Sequence, residues 1–345
     1  MTPGPLIAAL ADPAEQLLAR SILGTDDPAA ILARLDAHCR RELGTGVKAI
    51  EFAEISTGAA FGLALEDGRM VFLKAWTPAT PLALLRATHE VQSFLAARGF
   101  PCPGVLVEPR PFGAGHAAIH EYRSEGRLTT SGAPPLRAAM ASALARLIAL
   151  ATPLRDLPGL PRLSPPGTIW PAPHNALFDF EATRRGAEWI EEIAVARRAI
   201  LLAATGPAVV GHRDWSARNM RFQDDEVCVV YDWDSAGVDL EAAFVGKTSI
   251  AFPMTCYGDE PKPYPAPEDA AAFVNDYELA RGRPFAAAER RVIAAAATYA
   301  LTYTARCEHA LGAAGEGEAG SARAMLKLHA AGALTDLLEG RRSGS

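Results

Sequence analysis

Four side chains in the second half of the sequence have the types and spacing that phosphoryl transfer requires. His212, Asp214 and Asn219 read H-x-D-x-x-x-x-N, and Asp232 follows 13 residues after the Asn (232 − 219 = 13). A hydroxyl acceptor needs a carboxylate to orient it and take its proton, and Asp214 can do that. A divalent cation such as Mg2+ takes hard oxygen ligands, which Asn219 and Asp232 can supply. His212 would brace the loop by hydrogen bonding to backbone near the metal-binding Asp. Apolar runs flank the motif, Val209-Val210 before it and Val227–Tyr231 ahead of Asp232, so the polar groups stand where strands end.

A second set of residues, upstream, could hold phosphates. Lys74 lies in the apolar run Val71–Trp76, and Glu90 follows 16 residues on (90 − 74 = 16) in a helical stretch. A lysine on a strand paired with a helix glutamate is a clamp for the α- and β-phosphates of ATP. Ser56-Thr57-Gly58-Ala59-Ala60 is a small, flexible turn that lets backbone approach a ligand, or a plain hairpin turn.

Positioning these groups takes two kinds of scaffold. Residues 14–42 show helical spacing broken at Gly24–Asp27, so two helices form an extension over 1–45. Ala49–Ile55, Phe61–Leu65 and Met70–Trp76 are strand-like, and Glu66-Asp67-Gly68 joins the last two as a hairpin. A helix over 81–98 stops at Gly99, Pro101 and Pro103, and two more strands follow at Val105–Val107 and Ala117–Tyr122. Residues 46–122 thus make a small lobe of five strands and one helix. Beyond Tyr122 the pattern turns helical, at 136–151, 180–204, 268–281, 285–312 and 320–339, with short strands at 220–222 and 227–231. That gives a larger lobe over 123–339 and a flexible tail over 340–345. The aromatic and Pro-rich stretch Trp170–His174 with Phe178–Phe180 suits a pocket wall or a packed loop.

Composition narrows the function classes. The chain has 345 residues, 49% apolar and 21% charged, with a formal net charge of −6. That is an ordinary globular mix, and its acidity argues against nucleic acid as a partner. Five cysteines at wide spacings contain no CxxC pair, so they read as reduced, packed thiols. The start lacks a secretory pattern, and Arg146 and Arg306 interrupt or close the longest apolar stretches, so neither export nor a membrane is expected. The expected location is the cytoplasm.

The order of glycine-containing hairpin, strand Lys, helix Glu, H-x-D-x4-N and Asp-Trp-Asp (Asp232–Asp234) resembles the aminoglycoside phosphotransferase and choline kinase-like superfamily, over roughly residues 46–330. Leu95–Pro103 resembles that family's helix-to-strand junction. The resemblance implies an α+β, protein-kinase-like two-lobed fold and ATP-dependent phosphorylation of a hydroxyl on a small molecule such as an aminoglycoside, choline or homoserine. It makes Asp214 the base, Asn219 and Asp232 the metal ligands, and Lys74 with Glu90 the nucleotide clamp. It also makes the backbone of Glu121 and Tyr122 the adenine hinge. The chain departs from the family at Arg213, usually Gly, and at Ser216, commonly His, or Lys in protein kinases. Arg218 is the candidate to compensate. Asp234 could bridge a second metal, touch substrate, or cap the turn. The segment Gly237–Glu241 also differs, which leaves a second reading open: a catalytically silent nucleotide-binding protein on the same fold.

Overall fold

The computed structural model describes residues 4–129, 133–162, 167–170, 178–254, 264–312 and 321–339. The tail 340–345, Cys256 and Pro171–His174 lie outside the described residues. Two compact units emerge: the described residues up to Ser124 with Leu157–Gly159, and Glu125–Asp156 with the residues from Leu160 on.

The first unit opens with helices α1 (Gly4–Ala9), α2 (Pro13–Leu23) and α3 (Pro28–Leu43). Asp12 and Asp27 start the latter two, each accepting backbone N–H groups of the first turn ahead of a helix-initiating Pro. The short α1 is not foreshadowed by periodicity; Leu6 is fully buried and anchors it to the sheet. Strands β1 (Val47–Ile55), β2 (Ala59–Leu65) and β3 (Met70–Trp76) precede α4 (Leu82–Ala96). Strands β4 (Val105–Phe112) and β5 (Gly115–Glu121) follow it. They form one antiparallel sheet in the order β1-β2-β3-β5-β4.

Strand alternation divides this sheet cleanly. Phe61, Leu63, Leu65, Val71, Leu73, Ala75, Ala117 and Ile119 point to one side, where Ile22, Ile31 and Leu35 of the N-terminal helices cover them. Each such large side chain contributes about 1.5–3 kcal/mol when removed from water. Phe72, Lys74, Trp76, Ala118 and His120 therefore share the other side, toward α4, whose Leu85 packs with Trp76 and Ala118.

The second unit is mostly helical. Helices α5 (Pro134–Ala151) and α6 (Glu188–Ala203) precede β6 (Ala208–His212), β7 (Met220–Gln223), β8 (Glu226–Val230) and β9 (Ala236–Leu240). Helices α7 (Glu241–Ala251), α8 (Pro267–Arg281), α9 (Ala287–Ala310), α10 (Ala322–Ala330) and α11 (Ala333–Leu338) complete it. Strand β6 pairs with β9 and β7 with β8, both antiparallel. Helix α5 is long and apolar enough to cross a membrane by composition. Here it is a core helix: Leu136, Met140, Leu144, Leu147 and Ile148 are buried, and Arg137 pairs with Asp276 of α8 at 2.7 Å.

Two expectations need correction. The helix expected from Phe180 begins at Glu188, because Asp179 accepts from Glu181 and Ala182 N–H groups and makes a turn there. The fully buried Arg306 of α9 holds that turn through Phe180 O, Thr183 Oγ1 (3.0 Å) and Glu191 (3.2 Å). The helix expected over 320–339 is two, α10 and α11, broken at Gly332. Helix α7 and strand β9 had no periodic signature, because α7 is buried on nearly every side and carries no polar stripe. Its Gly246 is needed for packing: a Cβ there would stand 2.2 Å from the Ile293 carbonyl of α9.

Candidate active site

In the second unit, the sequence around His212 folds as a strand, a loop, one 3-10 turn (Ala217–Asn219) and a hairpin. Buried tryptophans hold it in place. Trp215 is 1% exposed and donates from Nε1 to Met140 O at 3.0 Å; Trp233 donates to Val230 O at 2.9 Å. His212 stands between the two indoles, edge-on to each at 5.8 and 5.5 Å between ring centres.

The ring of His212 links the loop to the strand that carries Asp232. Its Nδ1 accepts from the Asp214 N–H at 3.2 Å, so the proton sits on Nε2, which donates to the Tyr231 carbonyl at 3.0 Å. Burial holds this imidazole below its ordinary pKa, against the opposing pull of Asp232 and Asp214. The bracing role expected of His212 thus has its partners in this arrangement.

Asp214 is half-buried, and Arg218 donates to its Oδ2. Burial alone would raise its pKa; the charge and hydrogen bond of Arg218, with His212, outweigh that and hold the carboxyl below the usual range. Asp214 is therefore ionised at neutral pH. Asn219 donates from Nδ2 to the Asp214 carbonyl at 2.9 Å, so Oδ1 is the acceptor end of its amide. The Asn219 carbonyl in turn receives Tyr231 N–H at 2.9 Å, which sets β8 beside the loop.

Asp232 adopts φ 65°, ψ 46°, a left-handed conformation for a residue with a Cβ. Such a conformation costs about 1 kcal/mol or more and marks sites where function holds the backbone. Its Oδ2 accepts from Ser235 Oγ at 3.0 Å. Asp234 lies half-buried in the 3-10 turn that follows. Among the described residues no cluster of three His, Cys, Asp or Glu side chains could close around a metal ion. One carboxylate and one amide oxygen suit an ion that keeps water and phosphate oxygens in its shell.

Ser216 is 1% exposed, and its Oγ is buried without a hydrogen-bond partner among the described residues. Arg213 is exposed. Sequence reasoning overlooked Lys247, whose charge interacts with Asp214, Arg213, Arg218 and Asp239. It lies on α7, where no periodicity pointed.

In the first unit, Ser56 and Thr57 are exposed at the β1–β2 tip. Gly58 is buried, and a Cβ on it would press on the Ala75 carbonyl at 2.9 Å, so this tip lies close over β3. Lys74 is flanked across the sheet by two small residues, Ala60 and Ala118. Glu90 is not brought to it. Glu90 is exposed, and its charge is felt by Glu108 on β4. The side of α4 that packs inward presents Thr88, His89 and Gln92 instead. His89 lies 5.1 Å from the His120 ring and 5.5 Å from Trp76, and Gln92 bonds Pro103 O at 2.7 Å and His120 Nδ1 at 3.2 Å. Burial first, then His89 and Lys74, push the His120 pKa well down. On this side the charge of Lys74 is thus felt by a neutral imidazole, and its ammonium lies 5.8 Å from the Trp76 ring centre.

At the expected hinge, the Glu121 N–H is committed to Gly104 O at 2.9 Å, and its side chain accepts from Gly104 N at 2.9 Å. Glu121 therefore cannot offer that N–H to adenine. The Tyr122 backbone makes no hydrogen bond among the described residues.

Known proteins share this fold. An amicoumacin kinase, solved with AMP-PNP, Ca2+ and Ami, superposes with a TM-score of 0.61 at 14% identity, over 90% of this chain and 96% of its own. A macrolide 2'-phosphotransferase type I gives 0.55 at 19%, over 86% and 97%. An aminoglycoside phosphotransferase from Alicyclobacillus acidocaldarius gives 0.52 at 14%, over 88% and 95%. No curated protein sequence matches the chain. The phosphotransferase enzyme family, APH, matches residues 51–247, more than half of the sequence, and takes in both Lys74 and the loop from His212 to Asp232. With its α+β, kinase-like fold, the chain belongs to the APH phosphotransferase family.

Proposed function

We propose that the protein transfers the γ-phosphoryl group of ATP to a hydroxyl of a small molecule. The observation that carries this reading is the hydrogen-bonded set of His212, Asp214 and Asn219, tied through the Tyr231 backbone to the left-handed Asp232 that follows it. Asp214 is the base. It takes the proton as the acceptor oxygen bonds to the γ-phosphorus, the bond to the bridging oxygen breaks, and ADP leaves. The held-down pKa of Asp214 keeps it ready to accept that proton at neutral pH. Asn219 Oδ1 and the Asp232 carboxylate are the groups for Mg2+, which when bound neutralises charge on the phosphates. Lys74 is the cation for the α- and β-phosphates, and Asp234 is a neighbour of the metal ligands.

Support for a small, hydroxyl-bearing acceptor comes from the relatives, whose names specify amicoumacin, macrolides and aminoglycosides. A net charge of −6 is compatible with a cationic one. The test is ADP release with Mg·ATP over a panel of aminoglycosides, macrolides, choline, ethanolamine, homoserine and sugar alcohols. Acceptor-dependent ADP release is expected. Nucleotide binding with no turnover across the panel would favour the silent-binder reading instead.

A further inference from the structure

A phosphoryl group in flight carries negative charge on its three equatorial oxygens and needs cations fixed around it. The loop around Asp214 supplies few. Ser216 is buried and neutral, Arg213 is exposed, and Arg218 already donates to Asp214. Helix α7 brings a further one. Its Phe244 lies against Gly211, one residue before His212, where a Cβ would stand 2.9 Å from the phenyl ring. At its far end, Phe252 O and Met254 O accept the N–H groups of Ala217 and Arg218 at 2.9 and 3.0 Å. The helix therefore runs along the loop from Gly211 to Arg218, and Lys247 stands between those two anchor points, one turn after Phe244 on the same face. We propose that Lys247 contacts the γ-phosphoryl group beside Asp214, supplying from α7 a positive charge that position 216 does not. The proposal rests on the phosphotransferase reading above.

The electrostatics agree. Burial, with Arg213 and Arg218 adding to it, pushes the Lys247 ammonium down to about 8, against the opposing charges of Asp214 and Asp239. A lysine kept at that desolvation cost beside two arginines is poorly suited to a purely structural ion pair. An incoming γ-phosphate would stabilise its charge.

The experiment measures the affinity of Mg·AMP-PNP and Mg·ADP for the full chain by titration calorimetry, in the wild type, Lys247→Met and Lys247→Arg. Losing a charged hydrogen bond to the γ-phosphate should weaken AMP-PNP about tenfold or more. ADP, which lacks that phosphate, should change less than about twofold, and Lys247→Arg should recover part of the loss. Equal weakening of both nucleotides, or of neither, overturns the proposal. A wild-type chain that binds neither nucleotide overturns the phosphotransferase reading and this proposal with it, an outcome distinct from the other two.

Discussion

His212 and Tyr231 lie 19 residues apart in sequence, yet one hydrogen bond of 3.0 Å from the imidazole to the Tyr231 carbonyl fastens the Asp214 loop to the strand that delivers Asp232. The same ring accepts from the Asp214 backbone, so one buried side chain sets the spacing of the proposed base and the proposed metal ligand. His212→Ala should therefore do two things. It leaves an N–H and a carbonyl without partners and a cavity between Trp215 and Trp233, and it should destabilise the fold by about 2–4 kcal/mol. It should also lower turnover beyond what the fraction unfolded explains. Urea unfolding alongside acceptor-dependent ADP release separates the two; turnover that simply tracks the folded fraction would deny His212 its positioning role.

Asp214→Asn keeps the shape of the side chain and removes the acceptor of the proton. Turnover should fall by about 100- to 10,000-fold while nucleotide affinity barely moves, since the carboxylate acts on the acceptor hydroxyl. The amide also ends the charged bond from Arg218, so a modest stability change is expected. A rate within a few-fold of the wild type would remove Asp214 from the role of base.

Asp232 allows chemistry and backbone strain to be measured separately. Asp232→Ala and Asp232→Gly both delete the carboxylate, and both should abolish the enhancement of nucleotide binding by Mg2+. They differ only in the Cβ, at a residue with φ 65°. The glycine variant should be the more stable of the two by about 1 kcal/mol. Equal stabilities would show that the left-handed conformation is not kept in the variants. Unchanged Mg2+ enhancement in both would end the metal assignment.

What was legible in the sequence follows from where periodicity survives. The five strands of the first unit alternate between two differently covered faces, so their pattern shows, and Lys74 could be set on β3 from it. The loop from His212 to Asn219 could be read because its residue types serve chemistry as well as packing. Helix α7 escaped because it is buried on almost every side, and Lys247 escaped with it. Glu90 was assigned by residue type. The burial register of α4, with Leu85, Thr88, Gln92 and Leu95 facing inward, places position 90 outside.

Three imidazoles outside the loop from His212 to Asp232 link the fold to pH. Burial holds His38, His120 and His329 below their ordinary pKa of 6.5, with Arg41 adding to it at His38 and His89 and Lys74 at His120. Below about pH 6.5 the unfolded chain therefore binds protons that the folded one refuses. Stability is full above that pH and is lost as pH falls through this window, by up to about 1.4 kcal/mol per unit for each histidine. Melting temperature should be flat above pH 7 and fall between pH 6.5 and 5, and His329→Gln should reduce the slope. A Tm unchanged down to pH 5 would contradict the burial of these rings as neutral groups.

The last prediction concerns Lys74 and Glu90. Were they an ion pair, replacing either would harm nucleotide binding, and the double variant would be little worse than a single one, because the first loss already removes the interaction. The structure instead exposes Glu90 beside Glu108 and Arg86, and turns His89 and Gln92 of α4 inward, toward the sheet face that Lys74 shares with His120. Glu90→Ala should then leave the Kd for Mg·ATP within about twofold and shift stability by no more than about 0.5 kcal/mol. Lys74→Met should weaken Mg·ATP about tenfold or more, the cost of a lost charged hydrogen bond to phosphate. The double variant should equal Lys74→Met alone, since adding a null effect changes nothing. Calorimetric titration of all four proteins decides the matter. A Glu90→Ala variant that loses affinity to the same degree as Lys74→Met, with a non-additive double, would mean that α4 turns to bring Glu90 inward when nucleotide binds.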